Sequence, residues 1–520
     1  MWVLRGNLLS YLQNCCAERM GIVQKESIKL TFVFYMGSAL GYLNRVLLLT
    51  NFLSPTLVGL TGVLTNVAVL FAQFATLGIP SISNKFFPFF MDREKKHNGF
   101  FFWGNVFVFL GFLLTTILFV AFKPVIIRQY IDNSPLIVDY YYYLIPLALS
   151  SVYFQFFESY LRSLLKTVVP TFLNEVFTRI LNTAAIALYA LKVVNFQQFV
   201  VIYIGCSFLV TSILLIYIIY LRQFHVSPGK SRLYKRLLKP ILMYGTFTIL
   251  SVLGSGILVN IDSLMIASKL GLAQAGIYTT IFLMATALSL PYRSIQKITY
   301  PLVGRFWKKR DVKAVADLYA KTTLVMMIIG GGLILLLYGN INSIFMFEPK
   351  EYSVARYSFY LLCFAKYVDM ITGLNGIITV VSKKYKYDLY FMLALVIITI
   401  ILNIIFIPLY GITGAALAAM ISLVFYNFLR FAFVWYNFKM QPFTWNCLWI
   451  LLITIGTGCI AHFIPFFVNK YISICINSAV IGIIYMGCIL LFKFSPEINN
   501  LAYKFSGIKY LKMDDEKAIF

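Results

Sequence analysis

The sequence predicts an all-helical integral membrane protein of about fourteen spans, and three observations carry that prediction. Of 520 residues, 60% are hydrophobic and only 12% charged. The mean hydropathy is +0.83, the profile of a polytopic membrane protein rather than of a large soluble core. The second observation is a succession of apolar runs, most near the roughly 20 residues that cross a hydrocarbon core about 30 Å thick. They fall at 30–50, 57–77, 101–122, 138–157, 168–190, 197–220, 240–262, 274–292, 322–342, 355–380, 388–408, 411–436, 446–467 and 472–492. The third is where the basic residues stand. With a cytoplasmic N-terminus, 34 of the 44 Lys and Arg, Arg430 among them, are assigned to the cytoplasmic side, 7, with Arg356, to the other, and 3 (Arg45, Arg179, Lys366) to the membrane interior. One miscounted span would destroy that asymmetry. Both termini are therefore expected in the cytoplasm.

The residues before the first run include Arg5, Glu18, Arg19, Lys25 and Glu26 and lack an unbroken apolar core. They do not read as a signal peptide. The first run, Leu30 to Thr50, contains a single charge, Arg45. An arginine at that depth costs at least about 2.5 kcal/mol, so it faces protein or water. Helical spacing aligns it with Tyr42, Gly41 and Ser38. It either snorkels or pairs structurally, or else it lines a polar cavity. Gly37 and Gly41, four apart, let another helix approach this one.

Gaps at Ser54-Pro55, Pro408 to Gly411 and Phe466 to Tyr471 admit only helical hairpins. The eighth run is short and ends at Pro291, which puts Arg293 at its cytoplasmic end. A faint repeat pairs Val58-Gly59-Leu60, Phe87-Pro88 and the basic run from Arg93 with Ala275-Gly276-Ile277, Tyr300-Pro301 and the basic run from Arg305. This matches parallel six-helix units. The expected organisation is a cytoplasmic segment 1–29, a six-helix bundle 30–222, a basic linker 223–239, a second six-helix bundle 240–440, two additional helices 441–493 and a cytoplasmic tail 494–520.

Two further runs carry charge. Glu175 and Arg179 in the fifth are four apart with the acid first, the favourable helical order, and Thr178 and Asn182 extend that face. Lys366 and Asp369 in the tenth are three apart, with Gly373 and Gly376 beyond. Asp262 closes the seventh run, a position suited to a solvated carboxylate near the outer surface. Each pair reads as a self-neutralising structural pair, but charges on spans one, five and ten together fit a shared aqueous cavity better. Asn44, Asn66, Gln73 and Asn260 suit either sugar hydroxyls or helix–helix hydrogen bonds.

Several chemistries are excluded. A formal net charge of +25 is spread over loops without a nucleic-acid motif, so no nucleic acid is expected. Eight cysteines are scattered without a CxxC pair, and His97, His225 and His462 lie far apart, so neither metal nor disulfide framework is indicated. Gly330-Gly-Gly332 lies inside an apolar run, and no GxxxxGK[ST], GxSxG or HExxH occurs. Neither ATP hydrolysis nor a hydrolase is signalled.

Asn260-Ile-Asp-Ser-Leu-Met-Ile-Ala-Ser-Lys-Leu-Gly271 with Ala275-Gly-Ile-Tyr278, and Tyr300-Pro-Leu-Val-Gly-Arg305, resemble the second half of Wzx-type polysaccharide flippases of the MOP superfamily. Ile407-Pro-Leu-Tyr-Gly-Ile-Thr-Gly-Ala-Ala-Leu-Ala418 is similar to that family's Pro-x-x-Gly-x-x-Gly-Ala-Ala hairpin. Leu40-Gly, Phe52-Leu-Ser-Pro, Gly59-Leu and Leu77-Gly-Ile-Pro80 match more loosely, and the likeness spans about residues 28–440. It implies two pseudo-symmetric six-helix bundles around a V-shaped cavity, opening alternately to each side of the bacterial inner membrane. The implied cargo is a sugar or oligosaccharide on undecaprenyl pyrophosphate, as in O-antigen, capsule or exopolysaccharide synthesis. Arg45, Arg179 and Lys366 would meet the pyrophosphate, with Arg293 at the cytoplasmic mouth, because a desolvated diphosphate needs charged donors. Glu175 and Asp369 would hold those cations without cargo, or, with Asp262, carry a coupling proton or sodium ion. No cofactor is expected; partners would be the lipid-linked sugar, membrane lipid, and a polysaccharide polymerase with other assembly proteins.

Three rivals remain at this point. A MATE-like cation or drug antiporter predicts a cavity dominated by carboxylates and aromatics. The lipid II flippase of peptidoglycan synthesis also suits fourteen spans. A membrane glycosyltransferase or ligase needs a long external loop, which the gaps do not supply.

Overall fold

A computed structural model describes residues 32–92, 96–164, 166–225, 227–228, 232–463 and 469–506. Every regular element among them is a helix. The expected cytoplasmic segment 1–29, most of the tail and part of the basic run from Arg93 lie outside the described residues. The helices relevant here are α1 (Phe32–Phe52), α2 (Pro55–Ala75), α3 (Ile79–Phe90), α4 (Phe100–Ala121), α5 (Leu144–Ser163), α6 (168–190), α7 (Phe196–Tyr220) and α8 (Arg232–Leu270). They continue with α9 (Leu272–Lys308), α10 (Val312–Gly339), α11 (Arg356–Ile371), α12 (Asn375–Val381), α13 (Lys386–Phe438), α14 (Trp445–His462) and α15 (Lys470–Leu491).

Among the described residues, nine helices are long and apolar enough to cross a membrane, and ten if the stretch Lys350–Ile371 and α12, bent by 50° at their break, count as one span. The protein is a multi-pass membrane protein. One of the nine, α13, is two arms: Gly411, at φ 60° and ψ −136°, turns the chain between them, where the sequence placed a hairpin. α5, with 20 residues, and α8, with 39, are of spanning length too but stand outside the nine. The eighth run does not stop at Pro291. A short 3-10 turn at Ala287–Ser289 joins its two halves, and the helix continues to Lys308, because proline is tolerated in a first helical turn.

The chain divides into two compact units: Met1–Leu53 with Val63–Gly256, and Ser54–Gly62 with Ile257–Phe520. In the first, α5 is the central helix. Ser150 and Thr211 share a hydrogen bond of 3.1 Å between α5 and α7, and the buried Tyr160 packs tilted against Phe101 and edge-on against Phe87. Gln73 of α2 lies against Gly256 of α8, whose missing side chain leaves room for the amide.

In the second unit, Gly59 and Gly276 pack backbone to backbone, so neither tolerates a Cβ. The triple glycine of α10 serves packing as well. Tyr485 of α15 seats its hydroxyl over Gly331 and donates to the carbonyl of Ile328 at 3.0 Å. Asn477 donates to the carbonyl of Gly339 at 3.0 Å. These contacts fasten α14 and α15 to α10 around Leu335, Ile450, Ile481 and Ile489.

Candidate substrate and coupling sites

In the first unit the expected charges lie on or next to two wide turns. Residues Leu43–Leu48 of α1 and Leu173–Phe177 of α6 are π-helical. Such turns shift the backbone register and recur at functional sites. The hydroxyl of Thr178 follows the wider spacing, donating to the carbonyl of Leu173 five residues back at 2.8 Å. Arg179 stands just after the second π-turn. Its Nη2 lies 3.2 Å from Oε2 of Glu175, and its Nε donates to the Glu175 carbonyl at 3.0 Å. The pair predicted from spacing is thus formed, with the Arg179 side chain still 36% exposed and Glu175 20%.

The pair docks on the small face of α1. A Cβ on Gly41 would stand 2.7 Å from Cζ of Arg179, and one on Gly37 would stand 2.7 Å from the Glu175 carbonyl oxygen. Asn44 fixes the register: its amide donates to the Arg179 carbonyl at 2.7 Å, and its oxygen accepts from Thr183 at 2.7 Å. Asn44 therefore serves helix–helix bonding, the second of its two expected uses. Arg45 follows it, partly buried. Asn66 and Gln73 lie elsewhere, on α2, both partly buried.

In the second unit the expectations need correcting in three places. Asp262 is not a solvated carboxylate at a helix end; it is 5% exposed and lies within α8. Its Oδ2 accepts from the Tyr278 hydroxyl at 2.9 Å and its Oδ1 from Asn403 at 2.6 Å. A buried carboxylate requires such donors. Asn260, two residues earlier, is buried too. Secondly, Lys366 and Asp369 do not bond to each other. The Lys366 ammonium stands 4.9 Å from the ring centre of Phe282, while Asp369 accepts from Asn427 at 3.1 Å. Lys366 remains within electrostatic reach of Asp369, Arg293 and Asp262. Thirdly, Arg293 is exposed and sits inside the continuous α9 rather than at its end.

Sequence reasoning missed a third group. Arg430 of α13, which the charge distribution assigns to the cytoplasmic side, is 17% exposed and bonds Asp388. Its guanidinium lies 4.2 Å from the ring centre of Tyr426. The signal was available, since Arg430 falls within the twelfth apolar run. Tyr278 and Asn403, at 16 and 141 residues from Asp262, offered none of comparable kind. Among the described residues no group of three or more His, Cys, Asp or Glu could hold a metal ion.

Each unit holds a cation bonded to a carboxylate within a helical bundle, Arg179 to Glu175 in the first and Arg430 to Asp388 in the second, each side chain partly exposed. Such a cation can exchange its partner for an anionic ligand without being buried alone.

The fold has solved counterparts. The lipid II flippase MurJ, in an inward closed conformation, is similar with a TM-score of 0.71 and 16% identity, covering 92% of this chain and 99% of that one. An inward-facing multidrug resistance MATE family transporter of the MOP superfamily is similar at a TM-score of 0.58 and 14% identity, covering 78% and 94%. In sequence, an uncharacterized membrane protein of Methanocaldococcus jannaschii is 23% identical over 492 residues, 90% of this chain and 94% of that protein. With residues 23–307 matching its profile, the chain belongs to the polysaccharide biosynthesis protein family.

Proposed function

We propose that this protein is a flippase that moves a sugar or oligosaccharide linked to undecaprenyl pyrophosphate across the bacterial inner membrane by alternating access. It acts as a carrier, not an enzyme, and needs no cofactor. Membership of a polysaccharide biosynthesis family supports the class of cargo, and the MurJ-like fold supports a transport mechanism. The observation that carries the reading is the Arg179–Glu175 pair on the glycine face of α1. Its guanidinium is neutralised at rest and partly open, so a diphosphate can displace the carboxylate and gain charge-assisted hydrogen bonds. Arg45 on the π-turn of α1, and Lys366 with Arg293 in the second unit, supply further positive charge. Glu175, Asp369 and Asp262 are the groups through which a proton or sodium gradient would drive the cycle. Asn66, Gln73 and Asn260 would face the sugar. Both termini face the cytoplasm, and a polymerase consumes the product outside.

The test is complementation in a host lacking the gene. Arg179→Ala and Arg45→Ala should leave normal protein in the membrane and abolish the surface polysaccharide. Normal polymer at normal expression would refute their role in cargo binding.

A further inference from the structure

Helix α11 ends at Ile371 and α12 begins at Asn375, bent by 50° from it. The break turns on Gly373, at φ +65°, where a Cβ would also meet Tyr319 and Thr323. A polar group surrounds that break. Thr372 donates to Asn427 at 3.0 Å, Asn427 donates to Asp369 at 3.1 Å, and Tyr292 donates to the Gly373 carbonyl at 2.6 Å. Broken helices with polar surroundings are where membrane carriers place substrate and coupling-ion sites.

Arg430 occupies the far side of this group. It rests on Gly376, the second residue of α12, whose missing side chain leaves 2.8 Å between a built Cβ and Nη1. It bonds Asp388 in the first turn of α13 and lies within electrostatic reach of Asp369. Its Nε is buried without a hydrogen-bond partner. Asp262, Lys366, Asp369, Arg430 and Asp388 therefore form a series of alternating sign, each within electrostatic reach of the next.

An alternating series inside a protein responds as a unit, because an uncompensated buried charge is costly. We infer that Arg430 is a positioning residue that links anion binding at Lys366 to the bend between α11 and α12. A diphosphate that draws the Lys366 ammonium away leaves Asp369 short of a counter-charge. Arg430 is the next cation in the series, and its unpartnered Nε gives it a donor to offer. Moving to Asp369, it releases Asp388 and lifts off Gly376, so α12 and the first turn of α13 come apart. Without an anion, Lys366 neutralises Asp369, and Arg430 returns to Asp388. The inference rests on the proposed cargo, in that the trigger is a lipid-borne diphosphate.

Hydrogen exchange on the full chain in nanodiscs tests it, with farnesyl diphosphate as the probe and farnesol as the control for the apolar tail. Binding is measured separately with radiolabelled probe. Farnesyl diphosphate, not farnesol, should speed exchange in residues 375–390 at least tenfold. Lys366→Gln should remove that response. Asp388→Asn should exchange fast without probe and gain nothing from it. Arg430→Gln should abolish the response and Arg430→Lys restore part of it, which a merely structural arginine would not do. Should one variant fail to fold, the remaining variants and the wild type with and without probe decide. Bound probe with unchanged exchange at 375–390, or an equal effect of farnesol, overturns the inference and leaves the flippase reading intact. Absence of binding overturns both.

Discussion

The guanidinium of Arg179 lies over Gly41, so close that a Cβ there would fall 2.7 Å from Cζ. One helical turn earlier, a Cβ on Gly37 would meet the Cβ and carbonyl oxygen of Glu175, each at 2.7 Å. The two glycines thus face different kinds of obstacle. Over Gly41 stands the far end of a flexible side chain; over Gly37 stands backbone.

That contrast separates stability from transport. Gly37→Ala must push two helices apart, and overpacking of this kind typically costs about 1–3 kcal/mol. Gly41→Ala need only displace the guanidinium from Glu175, a partly exposed pair contributing at most about 1 kcal/mol. We expect Gly37→Ala to lower the melting temperature of the purified protein clearly. Gly41→Ala should leave it nearly unchanged while abolishing complementation. Equal losses of stability in both variants would contradict the geometry.

How far these relationships were legible depends on their sequence separation. Glu175 and Arg179 could be paired from the four-residue spacing alone, since a helix brings such residues together. Gly37 and Gly41 announced a close approach in the same way. The π-turns that aim both groups leave no periodic trace, so the carbonyl that Asn44 bonds, 135 residues away, could not be named. Asp262 was misplaced because a carboxylate at the end of an apolar run looks solvated. Tyr278 and Asn403, on other helices, supply the donors that make its burial tolerable. Arg430 was misplaced because the orientation rule is satisfied equally by a cation in the last turns of a span and by one in the loop.

The Asp262 site makes its own prediction. Tyr278→Phe and Asn403→Ala each remove one donor from a carboxylate that stays buried, which costs about 1–3 kcal/mol for an unsatisfied buried group. Because both act on one carboxylate, the double variant should deviate from the sum by at least about 0.5 kcal/mol. Thermal melts in detergent measure all three. Simple additivity would show that the two donors serve separate structures.

The C-terminal helices also rest on a small residue of α10. A Cβ on Gly331 would stand 2.5 Å from the Tyr485 hydroxyl oxygen and 2.9 Å from Thr454 Oγ1. Gly331→Leu should therefore detach α14 and α15, read as new protease sensitivity in the 439–445 connection. Tyr485→Phe keeps the ring and loses only the bond to Ile328, so a loss of about 1 kcal/mol is expected. Gly331→Leu without increased cleavage would mean that these helices are held elsewhere.

Gly411 allows backbone strain to be separated from crowding. Its φ of 60° with ψ of −136° is a conformation that side chains with a Cβ avoid. Yet a Cβ placed there would meet only Leu270, at the ordinary distance of 3.9 Å. A substitution at this turn is thus penalised by conformation alone, on the order of 1–3 kcal/mol. Gly411→Ala and Gly411→Val should consequently both lower stability, although neither introduces a clash at its Cβ. Gly411→Asn should be the mildest of the three, since asparagine tolerates positive φ best among residues with a side chain. Melting temperatures ordered by side-chain volume, with asparagine worse than alanine, would show that space and not conformation governs the turn between the two arms of α13.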